Sequence, residues 1–263
     1  MASILAKVNE PGESKVLTAL NIDEFKAVVF DLDSTLFDTH RYPIVASEWL
    51  MKHSNVDVAK HGESYVRNVV MRYFKAIEET VSGSPFVPPF DIIKAAMGKG
   101  LEDLGYTPDP ILVEQATQRF RSLHIELATP YPGVPELLSN LANRGLKLGI
   151  LTNSFAGNAK IILDNWDLGN FFKVIIDCGN VRAFKPMPQA FEAILSLLDV
   201  APSDTLFVGD EYYADMVGAK KAALTTVWIN NRGNSIEDLI QKYGPENTPD
   251  YVTKSIAEFA EMI

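Results

Sequence analysis

The stretch Ala27-Val28-Val29-Phe30-Asp31-Leu32-Asp33-Ser34-Thr35 decides the architecture of this 263-residue chain. Four apolar residues, two of them β-branched and one aromatic, stop abruptly at two acids spaced two apart. A short continuous apolar run bounded by turn residues predicts a buried parallel strand with carboxylates at its C-terminal end. The same form recurs downstream, where Leu146–Leu151 runs into Thr152-Asn153-Ser154 and Thr205–Val208 runs into Gly209-Asp210. Further strands are expected at Lys173–Asp177 and Thr225–Ile229, with helices near Ala156–Trp166, Pro188–Leu198, Ala214–Ala223 and Ile256–Ile263. Strands alternating with helices predict right-handed βαβ units and an α/β fold whose parallel sheet is covered on both faces.

One segment interrupts this alternation. From Tyr42 to Ala128 the apolar residues recur at three and four, as in Val66, Val69, Val70, Tyr73 and Ile77, and again in Leu112, Ala116, Phe120, Leu123 and Leu127. That spacing is helical. With the loop Ser82–Pro89 between its halves, the segment predicts about four helices in a bundle of their own. Residues 1–24 are weakly patterned, with a turn expected at Pro11-Gly12. They receive no function.

Composition narrows the class of function. Hydrophobic residues are 47% and charged residues 22%, ordinary for a globular chain and wrong for a disordered one. The 34 acids against 24 lysines and arginines leave a net charge of −10. That argues against a nucleic-acid polymer as partner and against docking on an anionic membrane, both of which need concentrated positive charge. No apolar run approaches the ~18 residues of a membrane span, and the first residues lack the apolar core of a signal peptide. A cytoplasmic protein is expected. The single cysteine, Cys178, allows neither an intrachain disulfide nor a thiolate zinc cluster.

In open α/β sheets, ligands bind beyond the carboxyl ends of the strands. Three strand ends here carry polar groups: Asp31 and Asp33, Thr152 and Asn153, and Asp210 with Asp215 just beyond. Taken singly, each is an ordinary turn or helix cap. Their joint occurrence in one sheet is more specific. Clustered carboxylates call for a hard cation such as Mg2+. A carboxylate beside it can attack phosphorus, and a second can shuttle the proton. Thr152 and Asn153 can donate to phosphoryl oxygens, and Lys185 can offset their charge.

These residues, quoted as Asp31-Leu32-Asp33-Ser34-Thr35-Leu36-Phe37-Asp38, Thr152-Asn153, Lys185-Pro186 and Gly209-Asp210 with Asp215, resemble the four ordered motifs of the haloacid dehalogenase superfamily. Tyr131-Pro132-Gly133-Val134 and Gly218-Ala219 are similar to its phosphoglycolate-phosphatase-like branch. The resemblance implies a Rossmann-like parallel-sheet core over 25–41 and 129–263, with an inserted all-helical cap domain over 42–128. It implies Asp31 as nucleophile and Asp33 as general acid/base. Mg2+ would be held by Asp31, the Asp33 carbonyl and Asp210, with Asp215 in support. Thr152, Asn153 and Lys185 would bind the phosphoryl group. The implied function is hydrolysis of a small phosphorylated metabolite by a monomer or homodimer. Asp33 sets the chain apart from the superfamily's true dehalogenases, which lack that second aspartate. A phosphomutase on the same motifs and a non-catalytic binding protein are the alternatives. Ser34, Met187 and Glu211 depart from the commoner residues of the motifs, and Glu211 reads as a solvated helix-start acid or a third carboxylate near the metal.

Among the remaining residues, His40 and Arg41 follow the first motif and are expected to face the leaving group. His53, His61 and His124 read as surface or packing residues. Trp49, Tyr73 and Phe74 read as packing of the bundle, and Cys178 as an inert buried thiol.

Overall fold

A computed structural model describes residues 20–263. The turn expected at Pro11-Gly12, and most of the 1–24 segment, lie outside the described residues. Its end belongs to the core, because Leu20 and Ile22 are buried there.

The first strand, β1 (Ala27–Phe30), leads through β2 (Phe37–Asp38) into four helices: α1 (Tyr42–His53), α2 (Val58–Val81), α3 (Pro89–Asp103) and α4 (Pro110–Glu126). The chain returns through β3 (Thr129–Pro130), which pairs antiparallel with β2. The helical segment is therefore tied to the sheet at both ends by one short ribbon. Sequence chemistry sets the helix starts. Asp57 and Asp109 cap α2 and α4 by accepting backbone N–H groups, and Pro89 and Pro110 occupy first-turn positions where no helical N–H is needed. The faces at three- and four-residue spacing meet in a core that includes Leu50, Val69, Ile93, Met97, Val113 and Phe120.

The rest of the chain alternates. α5 (Val134–Asn143), β4 (Lys147–Thr152), α6 (Asn158–Asn165), β5 (Phe172–Asp177), α7 (Cys178–Val181), α8 (Pro188–Leu198) and β6 (Thr205–Gly209) come first. A six-residue π-helix (Tyr212–Val217), α9 (Gly218–Lys221), β7 (Thr225–Ile229), α10 (Ile236–Tyr243), β8 (Tyr251–Thr253) and α11 (Ile256–Ala260) complete it. The six-stranded sheet has the order β5-β4-β1-β6-β7-β8 and is parallel throughout. Successive side chains point to opposite faces: Val28, Phe30, Leu206 and Val208 enter one core with α5, α6 and α11, while Ala27, Val29 and Phe207 enter the other with α8 and α9. Burial on both faces is why these strands read as unbroken apolar runs.

Several elements differ from the sequence expectation, which places none at β2, β3, α7, α10 or β8. The helix expected over Ala214–Ala223 is a π-helix that tightens into α9 only at Gly218, and the closing helix ends at Ala260. The segment α5 was given no element, although Val134, Leu137, Leu138 and Leu141 form its buried stripe.

Gly218 stands where that π-helix meets the loop after Lys185. A Cβ there would meet the Phe191 ring and lie 2.9 Å from the Pro186 Cα. Gly218→Ala is expected to lower unfolding free energy by about 1–3 kcal/mol, measured by urea titration. A loss below roughly 0.5 kcal/mol, the scale of a neutral surface change, would mean that the contact has slack.

Candidate active site

Because β1 lies between β4 and β6, the polar ends of all three strands open onto one crevice at the point where strand order reverses. Asp31, Asp33, Thr152, Asn153, Lys185, Asp210 and Asp215 line one cavity of about 560 Å³. These seven were singled out from scattered motifs, and the fold brings them together.

Lys185 is at the centre. Its Nζ donates to Asp31 Oδ1 at 2.6 Å and to Asp215 Oδ1 at 2.7 Å, and all three side chains are buried. Burial alone would lower the ammonium pKa, but Asp215 and Asp31 outweigh it and hold the group charged above its ordinary value. Burial pushes the Asp31 carboxyl up to about 7 against the pull of Lys185, with Asp215 and Asp33 adding to the rise. Asn153 fixes the lysine: its Oδ1 accepts the Lys185 N–H at 2.8 Å and its Nδ2 donates to the Lys185 carbonyl at 3.0 Å. The side-chain amide expected to meet a phosphoryl oxygen is thus committed to the Lys185 backbone. The π-helix aims Asp215, whose Oδ2 accepts the Glu211 N–H at 2.9 Å. A Cβ on Gly209 would strike that carboxylate, so the strand must end in glycine.

Asp33 turns the other way, to the helical segment. Its Oδ1 lies 2.6 Å from Nε2 of His124, which is fully buried near the end of α4. The tautomer follows from the network. Arg121 Nε donates to Asn158 Oδ1 at 3.3 Å, which turns the Asn158 amide nitrogen to His124 Nδ1 at 3.1 Å. With an N–H donor facing Nδ1, Nε2 is the ring nitrogen that carries a hydrogen to Asp33. Burial alone would raise the Asp33 carboxyl; the facing His124, with a bond from Thr39, outweighs it and holds the pKa below the ordinary value. The expectation of a mere packing role for His124 is corrected. A lone histidine on an apolar helix face, 91 residues from Asp33, carries no local signal of its partner.

Asp210 completes the set. Its Oδ2 accepts from Arg232 at 2.8 Å, and Arg232 also pairs with Glu211. Burial, with the charges of Asp31 and Glu211, raises the Asp210 carboxyl well above its ordinary range despite Arg232. The Thr35 hydroxyl lies 3.2 Å from Asp31 Oδ2 and 3.3 Å from Asp210 Oδ1, so those two oxygens converge on one point. Oxygens of Asp31, Asp210 and Asp215 lie within 4.8 Å of one another. A buried all-carboxylate donor set fits a hard divalent cation. Each of the three already accepts from protein donors: Asp215 from Lys185 and the Glu211 N–H, Asp31 from Lys185 and Thr35, and Asp210 from Arg232 and Thr35.

His40 lines the cavity and pairs with Asp38, whereas Arg41 is exposed and outside the lining. Tyr73 and Phe74 do more than pack the bundle: both line the cavity, and Tyr73 donates to the Asn153 carbonyl at 2.5 Å. Glu211 is partly buried and ion-paired. Cys178 is buried, and its thiol donates to the Ser154 carbonyl. Sequence reasoning missed Thr35 and Arg232; Thr35 sits inside the first motif, and Arg232 follows β7 in a loop with no motif at all.

The sequence profile of the haloacid dehalogenase-like hydrolases matches residues 25–223. The chain belongs to that family. Among its curated relatives, Pyrophosphatase PpaX of Halalkalibacterium halodurans is 28% identical over 246 residues, covering 91% of this chain and 97% of its own. Glyceraldehyde 3-phosphate phosphatase of Methanopyrus kandleri is 24% identical over 238 residues, 90% of this chain and 97% of its own. The magnesium-bound structure of YfnB from Bacillus subtilis superposes with a TM-score of 0.74 at 23% identity, covering 90% of this chain and 98% of that one. The L-2-haloacid dehalogenase of Xanthobacter autotrophicus does so with a TM-score of 0.69 at 22% identity and the same coverage. Likeness at that identity shows the fold, a Rossmann-like α/β core. No helix among the described residues is long and apolar enough to cross a membrane.

Removing Asp215 tests the central cluster. Asp215→Ala strips Lys185 of one of two carboxylates and orphans the Glu211 N–H, a loss expected at about 3–5 kcal/mol. Asp215→Asn keeps an acceptor for that N–H and should lose less. Equal losses in denaturant titrations would mean that the backbone bond contributes nothing.

Proposed function

We propose that this protein is a Mg2+-dependent phosphatase that hydrolyses a small phosphomonoester through an aspartyl-phosphate on Asp31. The observation that carries this reading is the setting of Asp31, at the C-terminal end of the central strand, 2.6 Å from the Lys185 ammonium, with Asp33 two residues on. Two relatives support it, one a pyrophosphatase and the other a glyceraldehyde 3-phosphate phosphatase.

The reaction is two displacements. Asp31 attacks phosphorus, the bond to the leaving oxygen breaks, and Asp33 gives that oxygen a proton. Water then attacks the aspartyl-phosphate, Asp33 takes a proton from it, and Asp31 departs as a free carboxylate alongside inorganic phosphate. The proton count balances over a turnover, since Asp33 gives one proton and regains one. Lys185 and Thr152 meet the phosphoryl oxygens and offset their charge. Asn153 acts through the Lys185 backbone. Asp31, Asp210 and the Asp33 carbonyl would hold Mg2+, which when bound neutralises phosphoryl charge. Residues 42–128 serve as a cap that keeps bulk water from the first displacement and selects the leaving group. His124 is a positioning residue, aiming the Asp33 carboxyl from the cap.

The native chain should release phosphate from a panel of small phosphomonoesters with Mg2+ and not with EDTA, and Asp31→Asn should lose at least about 10³-fold. Release that survives Asp31→Asn, or an isomerised sugar phosphate as the product, would sink the hydrolase mechanism. Mg2+ at about 100 times its Kd should add roughly 2.7 kcal/mol of stability, or about 5–10 °C in Tm, and Asp210→Asn should remove most of that gain. His124→Ala is expected to lower kcat about 10–100-fold with a smaller change in KM. His124→Gln keeps an N–H donor and should recover part of the loss; no recovery would reduce His124 to packing.

A further inference from the structure

The cavity has two unlike halves. Around Asp31 it is polar, whereas toward the cap it is walled by Val70, Phe74 and Ile77 of α2, facing Tyr213 and Tyr243 of the core. The two tyrosine rings stack at 5.3 Å and 25°. Residues 70, 74 and 77 share one helix face, and Phe74 remains 44% exposed there. An aromatic side chain left accessible in a cavity next to reactive groups is surface that a ligand can cover.

The charges of the cavity favour the same kind of ligand. Among the described residues, six carboxylates and three basic side chains line it. Each base already faces an acid: Lys185 faces Asp31 and Asp215, Arg232 faces Asp210 and Glu211, and His40 faces Asp38. Lys185 and one divalent cation suffice for one phosphoryl group. No basic side chain lines the apolar half; Lys242 lies over the Tyr243 ring at 4.7 Å, and the charge at the rim that meets it is Glu78, one helical turn beyond Phe74. A second anionic group placed there would lose its water, meet the Glu78 carboxylate and have to compete with it for Lys242.

Resting on the phosphatase reading above, we infer that the enzyme takes phosphomonoesters whose leaving group is an uncharged alcohol or phenol with an aromatic body. It selects against pyrophosphate and phosphorylated acids, whose leaving groups carry their own negative charge. The α2 face and the tyrosine pair hold the aromatic body, and Glu78 disfavours the anion.

Binding separates this inference from the reaction. Asp31→Asn, loaded with Mg2+, is titrated by calorimetry with 2-naphthyl phosphate, phosphoglycolate and pyrophosphate, while the native chain is assayed for phosphate release from all three. The expected result is 2-naphthyl phosphate binding at least tenfold more tightly than either competitor. In the same background, Phe74→Ala should weaken it about tenfold, and Glu78→Lys should shift the binding ratio toward phosphoglycolate by a similar factor. Equal or tighter binding of phosphoglycolate or pyrophosphate would overturn the inference, as would a naphthyl affinity indifferent to Phe74→Ala. Preferential naphthyl binding with no phosphate release from any of the three would uphold the inference and overturn the phosphatase reading.

Discussion

Lys185 is the constraint on which the rest of the site depends. A buried ammonium between two buried carboxylates, at 2.6 and 2.7 Å, is tolerable only when the geometry is right, because each charge gives up its hydration. The chain spends several unusual features on that geometry. Asn153 grips the Lys185 backbone from both sides. A π-helix stands where an α-helix was expected and carries the carboxylate of Asp215 to the lysine. Glycines at 209 and 218 clear the space for Asp215 and for the Pro186 loop. Such irregular turns recur at functional sites because regular helix would aim the side chain elsewhere.

The sheet supplies what the lysine cannot. With β1 at the reversal of strand order, Asp31 faces residues from strands on both sides, and no loop has to reach far to meet it. The helical segment enters from the opposite direction through the β2–β3 ribbon and places His124 on Asp33. Asp31 and Asp33, two residues apart on one turn, are thus held by different bodies of the protein: Asp31 by the core through Lys185, Asp33 by the helices through His124. In the proposed reaction the first makes the covalent bond and the second moves the proton, so the division of supports follows the division of labour.

That arrangement also accounts for what could be read in the sequence. Strand ends were legible because burial on both faces leaves unbroken apolar runs, and an acid at the end of such a run stands out. Asp31, Asp33, Asp210 and Asp215 were found that way, Thr152 and Asn153 as polar residues at the end of another such run, and Lys185 through the ordered motifs. His124 was not, since its meaning lies in a partner 91 residues away and in the Asn158 amide that sets its tautomer. Arg232 lies in a loop after β7, where a lone arginine looks like any solvated charge. Asn153 was placed correctly but not its orientation, because nothing in Thr-Asn says whether an amide will face a ligand or the next loop's backbone. The helix α5 was not read, since its stripe is only ten residues long and lies between two stronger signals.

The helical segment meets the site in two ways from one packed unit. α2 lines the cavity with Val70, Phe74 and Ile77, and α4 meets Asp33 through the buried His124. The two helices share a core, with Val69 of α2 and Val113 and Phe120 of α4 in one cluster, and close-packed interiors transmit displacement rather than absorb it. A leaving group that seats against α2 therefore acts on the same body that holds Asp33 through His124. In the proposed reaction, recognition of the leaving group and alignment of the group that protonates it become one event. A ligand lacking an apolar body leaves the α2 face uncovered and gives nothing toward holding His124 in place. On this argument the cap discriminates through kcat as well as through affinity, since binding energy from a remote part of the substrate is used to align the reacting groups.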